Sequence, residues 1–279
     1  MALEPLKVIF VGTGGGRFVT STQERHTGGI RMIHGDDQIH VDPGPGALVH
    51  SLNLHLSQLT LGAVLVSHCH LDHYGDAEVM IEAMTRGGTR KQGVLIAPRS
   101  VLQGNGNYGA AISNYHKSIV EATYEAKPGE IFKMRGMTIK PTRASHGDPD
   151  TVGFRFDFPG IGEIGYTSDT EYFNGISDYY KGVKLLILCV LRPRGLPWKG
   201  HISTDEATKI VEEVKPEAAV ITHFGMRMIF ANPSKEACFV EKKTGIKTFA
   251  AADSMEIQVA KGINVKKPGL SKSIDTFKR

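Results

Sequence analysis

Short apolar runs alternate with polar, glycine-containing stretches along nearly the whole chain. Runs of this length between turn residues are typical of buried β-strands. The pattern predicts strands over residues 7–11, 29–34, 38–42, 63–67, 94–97, 153–158, 163–167, 185–190 and 218–222. More strands are expected from Ser118 to about Thr142, divided by Pro128-Gly129 and Arg135-Gly136.

Helical periodicity is clearest over Ser203–Val214, where Ser203 and Glu206 form a capping-box pattern and apolar residues share one face. Residues 78–84 and 233–244 also suit helices, whereas 103–109 suits only a loop. Helices and strands alternate without regular strand–helix–strand units. The chain therefore reads as a sheet-rich α/β protein.

A run of glycines, Gly12 and Gly14–Gly16, follows the first predicted strand. A dinucleotide-binding turn of this kind must open a helix. Because residues 17–22 show no helical pattern, we expect a tight turn here and no nucleotide site.

Composition narrows the class of protein. A chain of 279 residues with 41% hydrophobic residues can bury a sizeable core. No run approaches 18 apolar residues, so we expect no membrane partner. Three cysteines cannot form a disulfide framework and the first residues do not resemble a signal peptide, so we predict a cytoplasmic protein.

The net charge of +4 is unevenly distributed. Residues 261–279 hold six basic residues and one acid, which leaves residues 1–260 with 27 basic and 28 acidic residues, a net charge of −1. We predict one domain over residues 1–263 and a basic, flexible tail over 264–279. A phosphate-binding arm is the alternative role for that tail.

The strongest chemical signal is the segment His68-Cys69-His70-Leu71-Asp72-His73, directly after a predicted buried strand. His68 and His70 are two residues apart, so an extended backbone directs both to one side. A following helical turn would bring Asp72 and His73 back nearby. Imidazole and carboxylate ligands suit zinc, and so many donors in one loop indicate a pair of metal ions.

Three further donors stand at the ends of other predicted strands: His146, Asp169 and His223. Strand ends on one side of a sheet commonly form a site. Each residue taken alone would be an ordinary polar loop residue.

Together these segments resemble the metallo-β-lactamase-fold hydrolases, whose HxHxDH motif is matched by residues 68–73 and whose early aspartate is matched by Asp42 in Ile39–Gly44. The resemblance implies a four-layer αββα sandwich with a two-metal site. It implies that His68, His70 and His146 hold one metal ion. It further implies that Asp72, His73 and His223 hold the other, that Asp169 bridges them, and that Asp42 orients a ligand.

Within the family, the chain is most similar to the ribonuclease Z and phosphodiesterase branch. The opening Ile9–Gly14 and the segment Gly200–Thr204, followed after a helix by Ile221–Phe224, carry this similarity. In that branch the histidine matching His201 assists phosphodiester cleavage. Only 22 residues separate His146 from Asp169, which leaves no room for the long tRNA-binding arm of ribonuclease Z. That enzyme's acidic residue on the next strand is also absent.

We therefore predict a hydrolase with two divalent metal ions, zinc being favoured over manganese or iron. It would cleave small or cyclic phosphodiesters through a metal-bridging hydroxide, with Asp72 contacting the nucleophile and His201 protonating the leaving group. Arg192, Arg194 and the 104–109 loop could shape the pocket.

The alternatives are a hydrolase for thioesters, lactones or sulfur esters, an RNA-processing nuclease, or a non-catalytic metal-binding protein. The expected partner is a small phosphodiester or nucleotide-like molecule. A nucleic acid is less favoured because the body is near neutral. A homo-oligomer is compatible with the sequence.

Overall fold

The computed structural model describes residues 4–106, 108–134 and 136–266, in which two β-sheets face each other with helices on both outer sides. The strands are β1 Leu6–Phe10, β2 Ile30–His34, β3 Asp37–Val41, β4 Ala63–Leu65, β5 Val94–Ala97, β6 Ala122–Glu125, β7 Phe132–Met134, β8 Met137–Arg143, β9 Val152–Phe158, β10 Gly162–Tyr166, β11 Leu185–Arg192, β12 Ile202–Ser203, β13 Ala218–Thr222, β14 Lys247–Ala250, β15 Glu256–Val259 and β16 Ile263–Lys266. The helices are α1 Arg17–Thr22, α2 Ala47–Asn53, α3 Leu71–Tyr74, α4 Ala77–Met84, α5 Arg99–Gln103, α6 Asn114–Ile119, α7 Thr204–Val214, α8 Met226–Ala231 and α9 Pro233–Thr244.

The first sheet has the order β16-β15-β1-β2-β3-β4-β5-β6, and the second has the order β14-β13-β11-β10-β9-β8-β7, with β12 paired to β11. Pairing is antiparallel from β16 to β3 and parallel from β3 to β6. In the second sheet β10, β11, β13 and β14 are parallel. Parallel neighbours end at the same edge, so the loops that follow them meet there.

Apolar side chains from both sheets fill the space between them, among them Phe10, Ile39, Phe154, Phe156 and Ile187, all fully buried. A second cluster lies between the second sheet and α7–α9, and a third lies between the first sheet and the helices α2 and α4–α6. The three apolar layers account for the αββα sandwich, which confirms the predicted fold class.

The strongest local patterns correspond to observed elements. Helix α7 begins after Ser203, whose side chain and that of Glu206 form the predicted capping box. Helix α9 and strands β5 and β13 have the expected bounds. Among the described residues, no helix has both the length and the apolar character needed to cross a membrane.

Three expectations need correction. Residues 17–22 form a short helix, α1, although only Val19 of it is buried, so the segment carries no apolar periodicity. Ser118 and Ile119 end helix α6, and the strands of this region begin at Ala122. Residues 264–266 belong to β16, which pairs with β15, so the predicted tail cannot begin at 264; residues 267–279 lie outside the described part of the chain.

Candidate metal centre

One edge of the sandwich gathers seven predicted metal donors from separate segments. His68 and His70 follow β4, Asp72 and His73 lie in α3, and the others follow β8, β10 and β13. The structure thus brings together His68, His70, Asp72, His73, His146, Asp169 and His223. His70 precedes the short helix α3, which turns Asp72 and His73 back toward the cluster.

The donors fall into two groups whose ligand atoms lie within 4.8 Å of one another: His68, His70 and His146 in one, and Asp72, His73 and His223 in the other. In the first group, His70 Nδ1 lies 3.0 Å from both His68 Nε2 and His146 Nε2. In the second, His223 Nε2 lies 3.0 Å from His73 Nε2 and 3.3 Å from Asp72 Oδ2. Tetrahedral zinc places its nitrogen ligands about 3.3 Å apart, so these spacings are close to those of a metal site.

Asp169 lies between the two groups. Its Oδ2 is 4.0 Å from His68 Nε2, 3.8 Å from His146 Nε2 and 3.6 Å from His73 Nε2. Its Oδ1 is buried and lies 3.2 Å from His223 Nδ1, but it makes no well-aligned hydrogen bond among the described residues. A buried carboxylate oxygen without a donor is costly, and a cation at this position would satisfy it.

The outward nitrogens of three histidines are already occupied. His73 Nδ1 donates to Asp42 Oδ2 at 2.9 Å, and His146 Nδ1 donates to the Gly200 carbonyl at 2.7 Å. His68 Nδ1 lies 3.0 Å from Ser67 Oγ. With the proton on the outer nitrogen, the inner nitrogen of each ring faces the cluster and offers a lone pair when the ring is neutral, as metal binding requires. The residues present therefore fit a pair of divalent ions.

Asp42 is the centre of a buried hydrogen-bond network that supports the donors; we call Asp42, Ser67, His73, Tyr166 and Ser168 the Asp42 network. Asp42 accepts hydrogen bonds from the Ser67 backbone and hydroxyl and from the Tyr166 hydroxyl, each at 2.7 Å. Ser168 donates in turn to Ser67 Oγ at 2.7 Å. The placement of Asp42 beside His73 agrees with the orienting role expected for it.

The backbone adopts left-handed conformations at three non-glycine residues of this edge: Asp42 (φ 53°), Ser168 (φ 55°) and His223 (φ 62°). Such conformations are strained for L-residues and persist where surrounding contacts hold them. Gly15 passes directly over His223, where a Cβ would collide with the imidazole ring. The neighbouring Gly16 N–H donates to Asp72 Oδ2 at 2.7 Å. The glycine run therefore serves the donor cluster.

Charge in the cluster favours a cation. Burial opposes the charge on His73, but the carboxylates of Asp42, Asp72 and Asp169 outweigh it and raise the pKa of His73 well above its ordinary value. Burial also opposes ionisation of Asp72, yet the nearby His73 and His223 lower the pKa of Asp72. Carboxylates in this setting stay ionised, and the group attracts positive charge.

His201 lies against the same cluster, although the sequence indicates a catalytic residue there and not a ligand. Its Nδ1 is 3.5 Å from Asp169 Oδ2, and its ring centroid is 4.8 Å from that of His146. Burial lowers the pKa of His201 to about 4 although Asp169 opposes the change. At neutral pH the ring is therefore neutral in the free site.

The sequence analysis did not identify several residues that support the donors, because their contacts join distant segments. Asp148 accepts hydrogen bonds from the Cys69 backbone, the Ser100 hydroxyl and the Asn105 amide at 2.6–3.0 Å. Tyr166 reaches Asp42 across the two sheets. Cys189 lies with Asp169 and His223 in a further group of close ligand atoms, and burial raises the pKa of its thiol. No local pattern marks these residues.

The residues expected to shape the pocket have different surroundings in the structure. Arg192 packs its guanidinium on the Trp198 ring, 4.5 Å from the centroid, and Trp198 lies three residues before His201. Arg194 packs against helix α9, with Nε 3.5 Å from Glu236 Oε1 and the guanidinium over Phe239, and its expected role in shaping the pocket stays a prediction. In the 104–109 loop, Tyr108 lies with its ring centroid 6.2 Å from that of His70.

These features define a hydrolase of the metallo-β-lactamase fold. The family model of the β-lactamase superfamily domain matches residues 37–224, and the chain belongs to this superfamily. It is 38% identical to an uncharacterised protein of Methanocaldococcus jannaschii over 92% of this chain and 96% of that one.

Other relatives agree with this assignment. A ribonuclease Z of Thermococcus sibiricus is 28% identical over 54% of this chain and 47% of its own length, so the chain matches about half of that enzyme. The metallo-β-lactamase-fold protein YhfI of Bacillus subtilis superposes with a TM-score of 0.74 at 20% identity, over 91% of this chain and 100% of that one. The resemblance inferred from the sequence is confirmed.

Proposed function

We propose that the chain is a phosphodiesterase that uses two divalent metal ions to hydrolyse small or cyclic phosphodiesters. The observation that carries the proposal is the position of His201. Its ring lies beside the complete donor set, 3.5 Å from Asp169, where it can reach an ester bound to that set. Hydrolysis of thioesters or lactones would not require an imidazole in addition to those of the metal donors.

Each metal ion, when bound, would lower the pKa of water and offset negative charge on the phosphoryl oxygens. Side chains of the protein would orient the attacking water and supply the proton. Asp72 Oδ2 faces His73 and His223 and is held by Gly16, whereas Asp72 Oδ1 makes no hydrogen bond within the described residues. Asp72 Oδ1 is therefore available to orient an attacking water.

His201 would transfer a proton to the departing oxygen. The free ring is neutral because burial lowers the pKa of His201. A phosphodiester carries a negative charge, which favours the protonated imidazole once the ester is bound. Asp169, facing His201 Nδ1, would stabilise that charge and leave Nε2–H for the leaving group.

Small substrates are favoured over structured RNA. Residues 1–260 have a net charge of −1, whereas tight binding of RNA requires several basic residues on phosphates. The 22 residues between His146 and Asp169 are used by β9, β10 and their short connections. That part of the chain has no additional arm for a tRNA.

The experiment is a leaving-group series on metal-loaded protein. His201→Ala should reduce turnover of esters with poor leaving groups by about 10²–10⁴-fold, with bound metal unchanged. The loss should shrink for nitrophenyl esters, because nitrophenolate departs without a proton. His116→Ala is the matched control, since His116 pairs with Glu78 and Glu82 on α4, away from the cluster.

Two outcomes would contradict the proposal. Equal losses for good and poor leaving groups would remove the proton-donor role of His201. Rapid hydrolysis of thioesters, lactones or β-lactams together with no turnover of phosphodiesters would assign the centre to another reaction.

A further inference from the structure

The loop before His201, residues 194–200, ends beside the donor cluster at Gly200; we call it the rim loop. It is held at both ends. Gly195 N–H donates to Asp205 Oδ2 at 2.7 Å, and Gly200 N–H donates to Glu171 Oε2 at 3.1 Å. The Gly200 carbonyl also accepts from His146. Its position relative to the donors is therefore fixed.

Trp198 stands on this loop and remains 57% exposed. The His201 N–H donates to the Trp198 carbonyl at 3.1 Å, so the two residues close one tight turn. Arg192 covers one face of the indole, with its guanidinium 4.5 Å from the ring centroid. Such backing fixes the ring orientation while much of the indole surface stays open.

The surroundings of Trp198 suit a molecule that is both flat and anionic. Arg192 behind the indole and the exposed Lys199 beside it supply positive charge next to the donor cluster. A second exposed aromatic residue, Tyr108, is 42% exposed and lies near the donor His70. An aromatic group is attracted to an open indole face, and a phosphodiester is attracted to the adjacent cations.

We propose that Trp198 is a stacking platform that selects phosphodiesters carrying a flat aromatic group, such as a nucleobase. This inference rests on the proposed function, since it names the substrate class of the same site. Trp198 binds and positions the aromatic group and takes no part in bond breaking. Alkyl phosphodiesters would be bound through their phosphate alone.

A binding measurement tests the proposal apart from catalysis. Trp198 is the only tryptophan in the chain, so intrinsic tryptophan fluorescence reports on this ring alone. Zinc-loaded protein is titrated with adenosine 5′-monophosphate and, as the matched ligand without a base, with ribose 5-phosphate. We expect saturable quenching by the nucleotide and little change with the sugar phosphate.

Kinetics supply the second arm. Both test esters carry the same p-nitrophenyl leaving group, so they differ only in the retained group, which is a nucleoside in one and a methyl in the other. For wild-type protein, the ratio of kcat/KM for thymidine 5′-(p-nitrophenyl phosphate) to that for methyl p-nitrophenyl phosphate should exceed one. Trp198→Ala should lower that ratio by about 5- to 150-fold, mainly through KM, and Trp198→Phe should restore much of it. Tyr115→Ala is the control that should leave the ratio unchanged, since Tyr115 is an aromatic residue of similar exposure on α6.

The stacking role of Trp198 and the phosphodiesterase reaction can fail separately. Nucleotide-specific quenching without turnover of any phosphodiester would retain the platform and overturn the proposed reaction. Turnover of both esters with no quenching and no change of ratio in Trp198→Ala would overturn the platform alone. Fluorescence that changes with protein concentration, without ligand, would show a second copy covering Trp198 and would also overturn it.

Discussion

The donor cluster and the rim loop differ in the number of chain segments that hold them. Asp42 alone receives hydrogen bonds from the turn after β4, from α3 and from β10, all buried. The rim loop is fixed mainly by hydrogen bonds at its ends and exposes Leu196 and Trp198. Changes in the cluster should therefore affect metal binding and folding together, whereas changes in the loop should affect the choice of substrate.

The largest effect is expected from Asp169→Asn, which keeps the size of the side chain and removes its charge between the two donor groups. Loss of several kcal/mol of transition-state stabilisation corresponds to a fall in turnover of about 10³-fold or more. Metal analysis should find fewer than two ions per chain. Asp178→Asn, on an exposed side chain paired with Lys181, is the control. Full metal content and full turnover in the Asp169→Asn variant would contradict the bridging role.

Asp42→Asn comes next, because it weakens the hydrogen bonds that orient His73. Removing such a supporting carboxylate typically lowers metal affinity by about 10–100-fold. Competition with a chromogenic chelator would measure the change. Asp205→Asn makes the same change at a carboxylate that holds the rim loop, and it should leave metal affinity unchanged. Equal effects of the two variants would remove the difference between the cluster and the loop.

Tyr166→Phe should have a smaller effect, since Asp42 keeps its other donors. Loss of one hydrogen bond to a buried carboxylate should lower the free energy of unfolding by about 1.5–3 kcal/mol. Urea denaturation of the metal-loaded protein would measure this. Metal affinity should fall less than in Asp42→Asn, and a larger fall would make Tyr166 the main support of the network.

The smallest effect is expected from deleting residues 267–279, which leaves β16 complete. Turnover of small phosphodiesters should not change, and precursor tRNA should be cleaved poorly by both forms. Accurate trimming of precursor tRNA that disappears with the deletion would assign the basic tail the role of an RNA-binding arm.

The donors could be predicted from the sequence because they occur in compact motifs at the ends of apolar strands. His68–His73 form one cluster in sequence, and His146, Asp169 and His223 each follow a predicted strand. Their supports could not be predicted in this way. Tyr166 meets Asp42 and Glu171 meets Gly200 only after the two sheets pack, and nothing near these residues in sequence marks the pairing.

The helices and strands also differ in how well the sequence predicts them. Periodicity and capping residues locate α7 and α9, since both helices bury a regular apolar stripe. Helix α1 buries Val19 alone, so its pattern is indistinguishable from that of a loop. Strands β14–β16 are short and partly exposed, and the sequence pattern does not predict them, because their pairing with β13 and β1 determines them more than their composition does.

A zinc titration of the metal-free protein counts the metal ions that turnover requires. Hydrolysis of bis(p-nitrophenyl) phosphate is followed as Zn²⁺ is added, together with the thermal stability of the protein. We expect no turnover without metal, and turnover that saturates at two ions per chain along with a rise in stability. Turnover that survives complete metal removal, or that saturates at one ion per chain, would contradict this expectation.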